Sequence, residues 1–149
     1  MAFADAEKTL IAQYVEAEQK HAYFLLGATG AAVGFVVQKL DGQRFDLAGW
    51  VLLIAAGSLL LSFLLGIRFL DHANRARHAN VKWLQLQSEV KPQTGEQKNK
   101  YNALVSKLDA KIDTENAKAG ACKRWQFRAL FLGALLLVAW RVLTMLAIS

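Results

Sequence analysis

Residues 47–67 read LAGWVLLIAAGSLLLSFLLGI, a run without a single charged side chain. As a helix it is about 31 Å long, and the hydrocarbon core of a bilayer is about 30 Å thick. It has neither the polar face of a surface helix nor the alternation of a barrel strand. The stretch therefore predicts a transmembrane helix. Two more apolar runs flank it. Residues 22–37 are uncharged and make about 24 Å of helix, with Tyr23 and Phe24 at the start as interfacial aromatics. Residues 129–149 are equally apolar, broken by Arg141 alone. The expectation is an all-α integral membrane protein with three transmembrane helices, in a single membrane domain.

Composition points the same way. Of 149 residues, 54% are hydrophobic and 20% charged, with a mean hydropathy of +0.21. A soluble domain carries nearer a quarter of charged residues. One Cys excludes a disulfide framework and a Cys-rich zinc site. One Pro beside long apolar runs excludes a disordered chain. The first twenty residues contain Asp5, Glu7, Glu16 and Glu18, so the N-terminus does not read as a signal peptide.

The net charge of +6 is unevenly placed. Lys8 and Lys20 precede the first span, and Lys39 and Arg44 lie in the short connection 38–46. The segment 68–128 carries about thirteen Lys and Arg, which makes it the cytoplasmic side by the positive-inside rule. The N-terminus is then cytoplasmic, the 38–46 loop and the C-terminus lie outside, and a bacterial inner membrane is the expected location. A nucleic-acid surface would interleave aromatics with the basic residues. Between Lys82 and Lys118 only Trp83 and Tyr101 are available, so the basic charge is read as topological and nucleic acid as disfavoured.

Asp41-Gly42 is a turn signal, and Asp46 is placed to cap the second helix. Residues 70–90 continue that helix without a breaker, with Asp71 and Arg75 at i,i+4. Lys91-Pro92-Gln93-Thr94-Gly95 then breaks it, and Thr94 with Gln97 has capping-box spacing for a new helix. Tyr101, Leu104, Val105, Leu108 and Ile112 fall on one face of that helix, the expected interaction face. Residues 68–120 thus form a cytosolic helical hairpin, and 121–149 hold an interfacial start and the third span. Residues 1–21 add an N-terminal helix with Phe3, Leu10, Ile11, Tyr14 and Val15 on one side. Packed on the hairpin, it would complete a three-helix stalk.

Small residues stripe the spans: Gly27 with Ala31, Gly30 with Gly34, Ser58 with Ser62 and Gly66, Ala129 with Gly133. Such stripes let helix backbones approach where lipid offers no hydrophobic driving force. They serve either packing within the chain or a homo-oligomer. Arg141 is the intramembrane charge. It either snorkels to the near surface beside a belt tryptophan, Trp140, pairs with Asp46 or Asp41, or lines a pore. No Asp or Glu lies inside a span, which argues against a proton relay and an acidic cation filter.

His21, His72 and His78 lack the i,i+3 or i,i+4 pairing of a metal site, so no metal is expected. Cys122 beside Lys123 and Arg124 reads as an inert cysteine. No nucleophile elbow, phosphate loop or metal motif occurs, so neither catalysis nor a cofactor is expected.

The functional expectation is a non-enzymatic, homo-oligomeric, pore-like or membrane-perturbing assembly controlled through its cytosolic helices. The alternative is an accessory or scaffold subunit of a larger membrane complex, docking a protein partner on the stalk. The layout of residues 1–90, an N-terminal helix, a tight transmembrane hairpin and a basic helix from Arg68, resembles the small two-span effectors found beside bacterial anti-phage sensors. That resemblance implies a defence-type effector, and the third span departs from it.

Overall fold

The computed structural model describes residues 2–41, 46–89 and 95–146, with side chains described for 13, 15–41, 46–86 and 95–146. It consists of three long helices: α1 (Ala2–Leu40), α2 (Leu47–Glu89) and α3 (Gly95–Leu146). Each expected span is part of a longer rod. The N-terminal helix and first span are one helix, as are the second leg of the hairpin and the third span. No Gly-Pro punctuation separates them in the sequence, so nothing interrupts the backbone hydrogen-bond ladder.

Segments long and apolar enough to cross a membrane lie in Val15–Leu40, Leu47–Leu86 and Gly95–Leu146. They contain the expected spans, except that 147–149 fall outside the described residues. The start of α2 is capped as expected: Asp46 Oδ1 accepts the Gly49 N–H at 2.8 Å, and Asp46 O accepts the Trp50 N–H at 3.1 Å. The first bond satisfies an orphan donor of the opening turn, and the second is the first bond of the helical ladder. The Gly42 turn position and the 91–94 breaker with its Thr94 cap lie outside the described residues. α2 nevertheless ends at Glu89 and α3 begins at Gly95.

The chain divides into two compact units. One comprises Met1–Gly66 and Gln126–Ser149, here called the span unit; the other is Ile67–Trp125, the hairpin unit. Along each helix, the less accessible positions recur at alternating steps of three and four. On α1 they include Val15, Ala22, Thr29 and Val36, one every seven residues. On the span-unit part of α2 they include Ala48, Leu52, Ala55, Leu59, Ser62 and Gly66. On α3 the same steps run through Tyr101, Val105, Leu108, Ile112, Glu115, Ala119 and Cys122, then Gln126, Ala129 and Gly133. A mean step of 3.5 keeps one seam of a helix against its neighbours, as in coiled coils and helical bundles.

In the span unit the seam closes over a core of Val36, Ala48, Leu52, Leu59 and Trp140. The outward faces stay apolar: Phe24 and Leu47 are 71% exposed and Phe131 68%, with Ile54, Leu60, Leu64, Leu135 and Val138 also exposed. An apolar surface so extensive is suited to lipid around the helices.

Candidate functional site

The small residues separate by the direction they face. Ser62, Gly66, Ala129 and Gly133 are buried within the span unit. At Gly133 a Cβ would lie 2.8 Å from Leu59 Cγ and Cδ2, so the leucine fills the space the glycine leaves. At Gly66 a Cβ would lie 2.6 Å from Gln126 Nε2 and 2.9 Å from Leu26 Cδ2, which brings all three helices together at one level. Beside it Ser62 Oγ donates to Gln126 O at 3.0 Å. Gln126 is a buried polar residue at the start of the third apolar run, and Gly66 leaves the room its amide occupies. Thr29, fully buried, donates its hydroxyl to Leu25 O one turn back at 2.6 Å. Hydroxyl-to-carbonyl bonds of this kind satisfy polar side chains without breaking a helix.

The α1 stripe behaves differently. Gly30 meets only the Phe63 ring, at an ordinary contact of 3.5 Å. Gly27 and Gly34 have nothing within 4 Å of an added Cβ, and Ala31 is exposed between them. Ser58 is half-buried. The GxxxG pair is thus not the contact that holds α1 to α2; one of its glycines points outward.

Arg141 is exposed, and among the described residues it forms no ion pair with Asp41 or Asp46. Asp46 is committed to the α2 cap. Trp140, expected at an outward belt, lies in the core instead, 7% exposed, and its indole Nε1 has no hydrogen-bond partner. The helix rotation that puts Gly133 against Leu59 also turns Trp140, seven residues on, inward.

In the hairpin unit, Tyr101, Val105, Leu108 and Ile112 are half-buried, whereas Leu104 is 51% exposed. The interaction face therefore has an outer edge, and Leu104 is on it. Val81 and Leu84 of α2 are likewise exposed. Most of the buried positions in this unit are small: Ala76, Ala79 and Ala119, with Phe69. The Asp71–Arg75 pair expected along α2 forms at 2.8 Å on the exposed side. Of the apolar side expected on the N-terminal helix, Val15 is half-buried; Phe3, Leu10, Ile11 and Tyr14 lie outside the residues whose side chains are described.

The residues that sequence reasoning missed are a pair. His72 Nδ1 and Glu115 Oε2 lie 2.6 Å apart, joining α2 to α3, with Glu115 only 8% exposed. With Glu115 ionised, only the imidazole can donate, so Nδ1 carries the proton. That hydrogen bond holds the Glu115 carboxyl below its ordinary range; burial pushes the other way, and the charges of Lys118 and Arg75 add to the lowering. Lys118 Nζ stands 3.7 Å from the other carboxylate oxygen. His21 and His78 are exposed. Among the described residues, no group of three His, Cys, Asp or Glu side chains is placed to hold a metal ion. Cys122 is a free, half-buried thiol. The arrangement offers a polar clamp between α2 and α3 and a set of packing surfaces.

The chain matches no protein-family model, and no curated protein and no solved structure is significantly similar to it.

Proposed function

We propose that the protein is a non-enzymatic membrane protein that assembles with copies of itself, its spans forming a pore-like or membrane-perturbing assembly and its hairpin receiving the controlling signal. The observation that carries this reading is the outward glycine face of α1. Gly27, Ala31 and Gly34 stand in an apolar span, and the two glycines have nothing within 4 Å. Glycine lowers helix stability relative to alanine, so a packing stripe with no partner in its own chain is best accounted for by a partner helix. In this reading the 68–128 segment and the N-terminus are cytoplasmic, the C-terminus is outside, and the membrane is a bacterial inner membrane.

The test is Gly27→Leu/Gly34→Leu, read by crosslinking and native mass spectrometry. Both substitutions enter open space, so thermal stability of the protomer is expected to hold while the oligomer is lost. Efflux of a small dye from liposomes should fall with it. An unchanged oligomer would turn this face toward lipid and end the reading.

A second reading, an accessory or scaffold subunit, is favoured by Val81, Leu84 and Leu104. These apolar side chains are exposed on a hairpin that this reading puts in water. It predicts a protomer that is monomeric when purified alone.

A further inference from the structure

The hairpin leg of α3 carries its exposed charges in two rows. A helix advances by about 100° per residue, which places Lys100, Lys107, Lys111 and Lys118 within an arc of about 40° on one flank of the buried seam. Asp109 and Asp113 fall on the opposite flank, among Asn102, Ser106 and Asn116. All of these positions are exposed. Between residues 102 and 116 the first flank has no carboxylate and the second no cation.

The outer lysines are paired along their own helix, Lys100 with Glu96 at 2.8 Å and Lys118 with Glu115 at 3.7 Å. The central charges are not. Lys107, Lys111, Asp109 and Asp113 form no ion pair among the described residues. Lys107 with Lys111, and Asp109 with Asp113, are instead like-charge pairs at i,i+4, a spacing that costs helix stability. Glu115, four residues after Lys111, turns into the seam and binds His72. The two rows are offset by two residues, so they face away from each other and cannot neutralise each other within one helix.

The rows match in height as well as in sign. Asp109 lies about 3 Å along the axis from both Lys107 and Lys111, and Asp113 lies the same distance from Lys111. Copies that share a bilayer stand parallel at one depth, so the acidic row of a neighbour would meet the basic row of this copy at the same level. Two copies turned face to face about a two-fold axis would oppose lysine to lysine instead.

We propose that residues 107–113 of α3 dock a second copy of this chain, Asp109 and Asp113 of one copy against Lys107 and Lys111 of the next. Each copy then uses both flanks, and such a contact between unlike surfaces closes into a ring. Charges that flank a helical seam set partner choice and orientation in the same way in coiled coils. Exposed ion pairs add little affinity each, so this contact fixes the order and direction of the copies, and the spans supply most of the attraction. The inference rests on the self-assembly reading above and adds the interface and its symmetry.

The test uses the full chain in liposomes, reconstituted from a mixture of isotope-labelled and unlabelled protein. A carbodiimide joins a carboxylate to an amine where the two touch, and a labelled half on an unlabelled half marks a link between copies. Links between copies from Asp109 or Asp113 to Lys107 or Lys111 are expected. Lys107→Glu/Lys111→Glu and Asp109→Lys/Asp113→Lys should each raise the concentration needed for assembly roughly tenfold, the scale of a few exposed ion pairs, with helicity by circular dichroism unchanged. The variant with all four substitutions exchanges the two rows and should restore assembly. An oligomer without such links, unchanged assembly in either double variant, or no recovery in the fourfold variant would each overturn the proposal and leave the self-assembly reading standing. Loss in the lysine variant alone would mean that the lysines hold an anionic partner rather than a second copy. An unaltered protein that stays monomeric would overturn the self-assembly reading itself, so the two failures are distinguishable.

Discussion

Gly133 and Glu115 lie on the same seam of the same helix, and they are held in opposite ways. At Gly133 the neighbouring helix comes so close that Leu59 occupies the place of a side chain. At Glu115 the side chain itself reaches out to His72. The span unit is held by close approach and by leucine, valine and tryptophan in its core. The hairpin unit buries mainly alanines and fixes its pairing with a charge-assisted hydrogen bond. The difference follows the surroundings each unit is suited to. Where the outside is apolar, burial of apolar groups brings little gain, and dispersion between tightly fitted backbones decides the packing. In water a thin alanine seam gains some hydrophobic energy, but it specifies register poorly, and a polar pair supplies the register.

Breaking the tight end should have the largest effect. Gly133→Leu forces a side chain into the volume of Leu59 and is expected to destabilise the span unit by about 2–3 kcal/mol, the upper range for overpacking. Unfolding in detergent, followed by circular dichroism, checks it. A change below about 0.5 kcal/mol would mean that α2 and α3 are not in contact there.

The polar end should respond to acid instead. The carboxyl of Glu115 is lowered mainly by the hydrogen bond from His72. A group lowered on folding contributes stability that is fully present above its unfolded value and is lost as pH falls through its folded value. The hairpin should therefore loosen on acidification below the ordinary carboxylate range, seen as faster amide exchange at residues 69–86 and 101–122. Glu115→Gln should be less stable at neutral pH and lack the part of the acid response that Glu115 supplies. An identical acid response in both proteins would remove the pair as the source of register.

The smallest effect should come at the far end of the span unit. Arg141 is exposed and unpaired among the described residues, so Arg141→Lys should leave stability unchanged within about 0.5 kcal/mol. A larger loss would show that a bidentate partner holds it. Sharpening the same point, Asp46→Ala should cost about 1 kcal/mol through the lost cap, and its effect should add to that of Arg141→Gln.

The asymmetry between the two units also sets what could be read in advance. In the hairpin unit, polar and apolar residues alternate around α3, so the sequence marks Tyr101, Val105, Leu108 and Ile112 as one face. Leu104 shares the stripe in sequence, but the 3.5-residue step moves it to the exposed edge. In the span unit the side chains are apolar all round, and the outward Gly27 and Gly34 look no different in sequence from the inward Gly66 and Gly133. The tryptophan beside Arg141 has the composition of a belt residue and is nonetheless a core residue. His72 and Glu115 are 43 positions apart, and no local pattern in the sequence pairs them.

The helical class, the Asp46 cap, the new helix starting near Gly95 and the three apolar stretches can be read from the sequence alone. Each of these depends on neighbours within a turn or on the length of an uncharged run, and such local terms can be summed along a chain. Only the tertiary structure decided which glycines face inward, that Trp140 is buried, and that His72 holds Glu115. The rotation of a uniformly apolar helix about its axis changes no local term, so it is fixed only when a second helix arrives with a side chain, such as Leu59, that fits one face and not the others.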